Sequence, residues 1–319
     1  MNFDLSADQE ALRDGVRSLC EGRFPMKRVR GGFDRDVWAE LDEAGVFSLR
    51  LPARDGGAEL GLPDAAIVFE ELGRALVPGP LVWGHLARGR VDGVVGGLES
   101  LPGDGGPLLV EHLEHLDHLL VVDGEAVRAV PAADLGEAAP VDWPLDPLTP
   151  AHRVEHIPVG ERIGDVDLVV EWRLAGAVLT AAFLVGMAAA CVDMSVAYAS
   201  ERRQFDRPIG SFQAVKHILA DMAVRAEVAR VAVHAAACTL DDPRGGEPTR
   251  AAAGAKLLAG EAAITNGRGA MQVHGGMGFT WEVDVHLYLK RAWLLDTVFG
   301  STSVHADTVA AGLPIPPSG

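Results

Sequence analysis

Arg202-Arg203-Gln204-Phe205-Asp206-Arg207-Pro208-Ile209-Gly210, with Phe212-Gln213 directly after it, and Gln272-Val273-His274-Gly275-Gly276-Met277-Gly278-Phe279 are the two stretches that decide how this chain is read. The first begins where a long apolar helical pattern ends. An arginine placed there meets a diphosphate through paired, charge-assisted hydrogen bonds, Phe205 offers a flat apolar face to a ring system, and Gln213 can bond a polar edge. The second stretch carries Gly275 and Gly276, which permit close backbone approach to a ligand or a positive φ, with Gln272 one turn earlier. Taken singly, each stretch also reads as an ordinary helix–turn–helix connection or a helix C-cap.

Helical periodicity surrounds both. Long segments at 172–200, 212–240 and 247–274 and a shorter run at 283–311, with a loop at Asp241-Asp242-Pro243-Arg244-Gly245-Gly246, predict an antiparallel bundle over 167–319. Residues 1–88 predict a second helical domain. Ser6-Ala7-Asp8-Gln9 fits a capping box ahead of Leu12, Val16 and Leu19; a helix is expected over Asp36–Glu43; Pro63 starts another, with Ile67, Val68, Leu72 and Leu76 on its buried face up to Pro78. Between them, 89–166 changes texture. Short apolar runs at Leu108–Val110 and Leu119–Val122 alternate with turns at Gly103–Gly106 and Asp123-Gly124, which predicts short strands. The expected class is α+β, mostly α.

The formal charge of −17 excludes general binding to nucleic acid or anionic membranes, which need a basic field. Cys20, Cys191 and Cys238 are odd in number and far apart, with no metal spacing, so a reducing cytosol is the expected compartment. Met1-Asn2-Phe3-Asp4-Leu5 has no basic n-region and is not read as a signal peptide. Leu174–Val192 is marginally long enough to span a membrane, but its Ala and Gly content predicts a buried bundle helix instead.

Together, the two decisive stretches resemble the acyl-CoA dehydrogenase family. Leu287-Tyr288-Leu289-Lys290-Arg291 extends the match downstream, so that it covers about 167–310. Asp8-Gln9-Glu10-Ala11-Leu12-Arg13-Asp14 and Phe69-Glu70-Glu71-Leu72-Gly73-Arg74-Ala75-Leu76 resemble the family's N-terminal helical domain. The resemblance implies an N-terminal helical domain, a middle β-domain and a C-terminal four-helix bundle. It also implies FAD, contacted across a dimer by Arg202, Gln204, Phe205 and Gln213 and by Gln272, Val273, His274, Gly275 and Gly276. Gln204 stands where a small hydroxyl is common and Asp206 where glycine is usual. The middle domain is short and lacks the Thr-Glu-Pro-x-Ala-Gly-Ser-type loop that receives the flavin.

The family reaction removes the α-proton of an acyl-CoA thioester while a β-hydride passes to the flavin, so a carboxylate must stand at the α-carbon in a dry pocket. Counting from Gly276, the usual glutamate position falls on Phe299 in Val298-Phe299-Gly300-Ser301. The alternative position, on the first bundle helix, falls on Gly176, and Ala177 replaces the arginine that often follows. This pattern resembles the base-less subunit of actinobacterial α2β2 dehydrogenases acting on steroid-derived CoA thioesters, and the Ala, Gly, Val and Arg bias suits a high-GC actinobacterium. It implies a full-length catalytic acyl-CoA dehydrogenase chain as partner, with the acyl-CoA substrate mainly on that partner and this chain inactive alone. Two other readings stay open: a self-sufficient homotetramer with an unusual base, and a flavin-free structural protein on the same scaffold.

Asp296 and Glu282 are the substitute bases to weigh, and both also read as surface carboxylates. His112, His115 and His118 have a three-residue spacing, but no partner set elsewhere makes them a metal site. His274 is expected to shape the backbone of its segment rather than to move a proton.

Overall fold

The computed structural model describes residues 5–99 and 108–313. The Gly103–Gly106 turn, the first four residues and the Pro314–Gly319 tail lie outside the described residues. Helices α1 (Ala7–Arg23), α2 (Met26–Val29), α3 (Arg35–Glu43), α4 (Leu62–Arg74) and α5 (Leu81–Ala87) form the N-terminal part. α1 begins on the Ser6–Gln9 capping box, and α3 on Asp34, whose carboxylate accepts from Val37 N at 2.7 Å. α4 stops short of the expected Pro78 because Leu76 turns to φ 53. Its buried face, Ile67, Val68 and Leu72, lies against the bundle.

Two small sheets follow. The first orders β1 (Val95–Glu99), β3 (His118–Val122), β4 (Val127–Pro131) and β7 (Glu161–Gly164) as β1-β3-β4-β7, with β1 and β3 parallel. The second orders β2 (Leu108–Glu111), β6 (Ala151–Val154) and β5 (Ala138–Pro140) as β2-β6-β5, all antiparallel. The β3–β4 turn is set by Asp123, whose Oδ1 accepts from the amides of Glu125 and Ala126, both at 2.7 Å.

The bundle consists of α6 (Val166–Glu201), α7 (Gln213–Asp241), α8 (Pro248–His274), α9 (Val285–Asp296) and α10 (Thr302–Ala311). α6 is long and apolar enough to cross a membrane, yet 94% of its most apolar window is buried against its neighbours, so it is the core helix of the bundle. Glycines let α4 lie almost on it: a Cβ on Gly186 would fall 1.8 Å from the Glu70 carbonyl oxygen, and one on Gly73 2.0 Å from that of Phe183. Asn266, fully buried, staples three helices. Its Nδ2 donates to Ala188 O at 3.3 Å and Met222 O at 2.9 Å, and its Oδ1 accepts from Arg225 at 2.8 Å.

The run expected over 283–311 is two helices. It breaks at Phe299 and Gly300, which take φ 53 and 90, a left-handed geometry no helix can carry through. A two-residue hairpin, β8 (Arg203–Gln204) with β9 (Arg207–Pro208), joins α6 to α7.

Candidate functional site: an exposed rim and a filled centre

The two decisive stretches meet at one end of the bundle. Tyr198, near the end of α6, stacks on His274 at the end of α8, with ring centroids 4.3 Å apart. α6 and α8 therefore deliver Arg202 and Gly275 to the same end.

In the first stretch, Phe205 and Asp206 form the hairpin turn with φ 52 and 64, the double left-handed geometry of a type I′ turn. That explains the glycine usual at position 206: an aspartate tolerates the left-handed region better than most residues, whereas Phe205 is strained there. At the tip of this turn the Phe205 ring is 86% exposed. Arg203 Nη2 donates to Asp206 O at 2.6 Å and the Arg207 guanidinium lies 4.0 Å from the centroid of the Phe212 ring, so both arginines brace the turn. Arg202, by contrast, is exposed and has no carboxylate partner among the described residues. Gln204 and Gln213 are exposed as well.

In the second stretch the five candidates separate by burial. Gln272, Gly275 and Gly276 are exposed, and a Cβ built on either glycine would meet nothing within 4 Å, so the backbone is open to a ligand. Val273 and His274 are each 7% exposed, and His274 Nδ1 bonds Ala270 O at 2.8 Å. Only the backbone groups of these two can meet a ligand. Gln272 and Gly275 open onto a cavity of about 760 Å³ shared with Arg268, Trp281 and Lys290. A cation and a polar amide can meet a diphosphate, an exposed aromatic ring can cover an apolar face and bare glycine backbone permits close approach, so the residues fit a flavin dinucleotide.

The centre is different. Phe299 is 3% exposed and lies directly on Gly176: a Cβ there would fall 2.4 Å from the ring. On its other side Trp83 packs at 4.5 Å between ring centroids. The two positions where the family resemblance would place a glutamate thus touch each other, one holding an aromatic ring and the other bare enough to admit it. Phe299 and Ala177 border an outer cleft of about 520 Å³, at whose rim Arg173 pairs with Glu99 at 3.1 Å.

The loop carrying Phe299 is pinned by groups that sequence reading missed. Lys256, fully buried on α8, donates from Nζ to Leu295 O at 3.0 Å and to Asp296 O and Gly300 O at 3.1 Å. His305 Nε2 donates to Phe299 O at 2.8 Å, and the Thr302 hydroxyl bonds Asp296. The signal for Lys256 was present: a lone cation in Ala251-Ala252-Ala253-Gly254-Ala255-Lys256-Leu257-Leu258-Ala259-Gly260 has no polar face to sit on.

Burial pushes the Lys256 ammonium down to about 8 from its ordinary 10.5, against the pull of Asp296 and Glu99. Between those two values the unfolded chain binds the proton and the folded chain does not, so stability rises with pH across that window. Urea unfolding should therefore show wild type gaining on Lys256→Met between pH 7.5 and 10.5, by on the order of 3 kcal/mol. A flat difference would show that the charge is not penalised.

Asp296, held by Thr302, is partly buried at the end of α9, and Glu282 is exposed on a turn. Neither lines the outer cleft. His112 and His115 pack edge-on against Phe33, at 5.2 and 5.5 Å between centroids. Among the described residues, no three His, Cys, Asp or Glu side chains are placed to hold a metal ion.

Residues 169–313 match the family model for the acyl-CoA dehydrogenase C-terminal domain, and residues 6–88 the one for the N-terminal domain. The chain is 35% identical to acyl-CoA dehydrogenase IpdE2 of Mycolicibacterium smegmatis over 311 aligned residues, covering 90% of this chain and 93% of that one. Its fold superposes on a chain of the ChsE4-ChsE5 complex from Mycobacterium tuberculosis with TM-score 0.84 at 24% identity, covering 99% of this chain and 100% of that one. It also superposes on the Tcur3481-Tcur3483 steroid ACAD, G363A variant, with TM-score 0.80 at 22% identity over 95% and 97% of the two chains.

Proposed function

The chain belongs to the acyl-CoA dehydrogenase family, and we propose that within it this protein is a base-less subunit that lends flavin contacts to a full-length catalytic chain, as in an α2β2 assembly. The observation that carries this reading is the filled centre: Phe299 occupies one base position, and Gly176, at the other, is bare so that the ring fits. Neither residue accepts a proton. The rim, in contrast, keeps its cation, amides and open glycine backbone.

FAD bound at the shared site supplies the hydride acceptor for α,β-dehydrogenation of an acyl-CoA thioester. This chain's part is binding and orientation: Arg202 neutralises the diphosphate, Phe205 covers an apolar face of the cofactor, Gln204, Gln213 and Gln272 bond its polar edges, and Gly275 and Gly276 let the backbone approach. The α-proton goes to a carboxylate of the partner, where most of the acyl pocket lies. Resemblance to the structure described as the ChsE4-ChsE5 complex supports a two-chain assembly, and resemblance to a steroid ACAD supports a steroid-derived acyl group. Unpaired Cys20, Cys191 and Cys238 suit a cytoplasmic setting.

The self-sufficient reading needs a base, and Asp296 is its best candidate. We expect Asp296→Asn, introduced into the co-purified complex, to leave turnover within about twofold of wild type, because Asp296, the last residue of α9, is tied to the Thr302 hydroxyl and does not line the outer cleft. A base lost from its position costs at least about 10²-fold, and a fall of that size would place catalysis on this chain.

A further inference from the structure

Beside Trp83 is a small cavity of about 50 Å³, and three polar side chains from three elements line it: Glu111 of β2, Thr180 of α6 and Arg291 of α9. Arg291 is 3% exposed and Thr180 fully buried. Arg291 gives its Nε to Asp146, which in turn accepts from Leu148 N at 3.0 Å and Thr149 Oγ1 at 2.8 Å. Its Nη2 is left without a partner, and so is Thr180 Oγ1.

The Thr180 orphan is unusual in this chain. Hydroxyls on these helices bond the carbonyl four residues back: Ser195 to Cys191 O at 2.7 Å, Ser200 to Val196 O at 2.7 Å and Thr239 to Ala235 O at 2.8 Å. Thr180 makes no such bond and lines the cavity instead. Two buried donors with unmade bonds facing one space are costly, because burial has removed the water they would otherwise hold.

The surrounding charges are largely balanced within the protein. Arg291 and Asp146 neutralise each other. Burial, reinforced by Arg291, pushes the His112 imidazole down to about 3, so it is uncharged. Burial also pushes the Glu111 carboxyl up to about 7, with Arg291 opposing and Asp146 adding to the rise. An added anion would meet the Glu111 and Asp146 carboxyls as well as Arg291, and would leave the cluster with uncompensated charge. A water molecule needs about 10–15 Å³ of free space and two to four polar partners, and the cavity offers both.

We propose that this cavity is a hydration site in which water accepts hydrogen bonds from Arg291 Nη2 and Thr180 Oγ1 and meets the Glu111 carboxyl, joining β2, α6 and α9 in one buried polar unit. Val298 and Trp83, whose ring packs on Phe299, line the same space.

Thr180→Val tests the proposal by the sign of its effect, because the two side chains have nearly the same shape. If the site is hydrated, valine strips the water of a donor and Tm falls by about 2–4 °C, whereas Thr180→Ser, which keeps the hydroxyl, retains the water. A crystal structure of the wild type should show a water peak within hydrogen-bond distance of both Thr180 Oγ1 and Arg291 Nη2. A cavity without that peak, or a Tm that holds or rises in Thr180→Val, would overturn it, since removing a truly unpaired hydroxyl relieves a cost.

Discussion

Phe299→Glu, which puts a carboxylate back where the reaction would need one, is expected to destabilise the chain by about 3–5 kcal/mol and to produce no turnover by the chain alone. The first part follows from packing. Phe299 is 3% exposed between the Trp83 ring and the bare backbone of Gly176. Exchanging it for glutamate removes aromatic contacts, opens space beside Gly176 and sets a carboxyl between the Trp83 ring and bare helix backbone. The second part follows from the proposed division of labour: Trp83 still packs against that position, and most of the acyl pocket is proposed to lie on the partner. The measurements are urea unfolding and a dye-coupled dehydrogenase assay. A variant as stable as wild type would show that the ring is not packed as described. A variant active alone would show that only the base was missing and that the pocket itself is intact.

Arg202→Ala combined with Gln272→Ala is expected to strip flavin from the co-purified complex while leaving its mass unchanged. Arg202 is an exposed guanidinium with no carboxylate partner among the described residues, and Gln272 an exposed amide facing the cavity shared with Trp281 and Lys290. Charge-assisted bonds to a diphosphate contribute about 1.5–3 kcal/mol each, so the pair should weaken flavin retention by roughly 10²-fold or more. Folding should not suffer, because neither side chain packs against the core. The ratio of visible flavin absorbance to protein after gel filtration reads this directly. Unchanged flavin content would favour the flavin-free structural reading.

Much of the fold is legible in the chain because the signals are local. Ser6 with Gln9, Pro63, and the Asp241–Gly246 loop fix helix ends through chemistry confined to a few neighbouring residues. The break within 283–311 is not, because a phenylalanine at positive φ contradicts its own preference and is held by Lys256 and His305 from other elements. The rim was legible residue by residue, yet its split into exposed Gln272, Gly275 and Gly276 against buried Val273 and His274 depends on which face of α8 meets Tyr198. Phe299 and Gly176 could each be recognised as lacking a base. That they touch could not, since contact between positions so far apart in the chain is a property of packing alone. Glu111, Thr180 and Arg291 escaped for the same reason.

The central claim, a flavin shared with a catalytic partner, is tested most directly by flavin stoichiometry and oligomeric mass, measured for the chain purified alone and after co-expression with a full-length acyl-CoA dehydrogenase chain. The account predicts a colourless or insoluble protein alone and a yellow complex holding one flavin per pair of unlike chains. A yellow protein alone, with one flavin per chain, would contradict it.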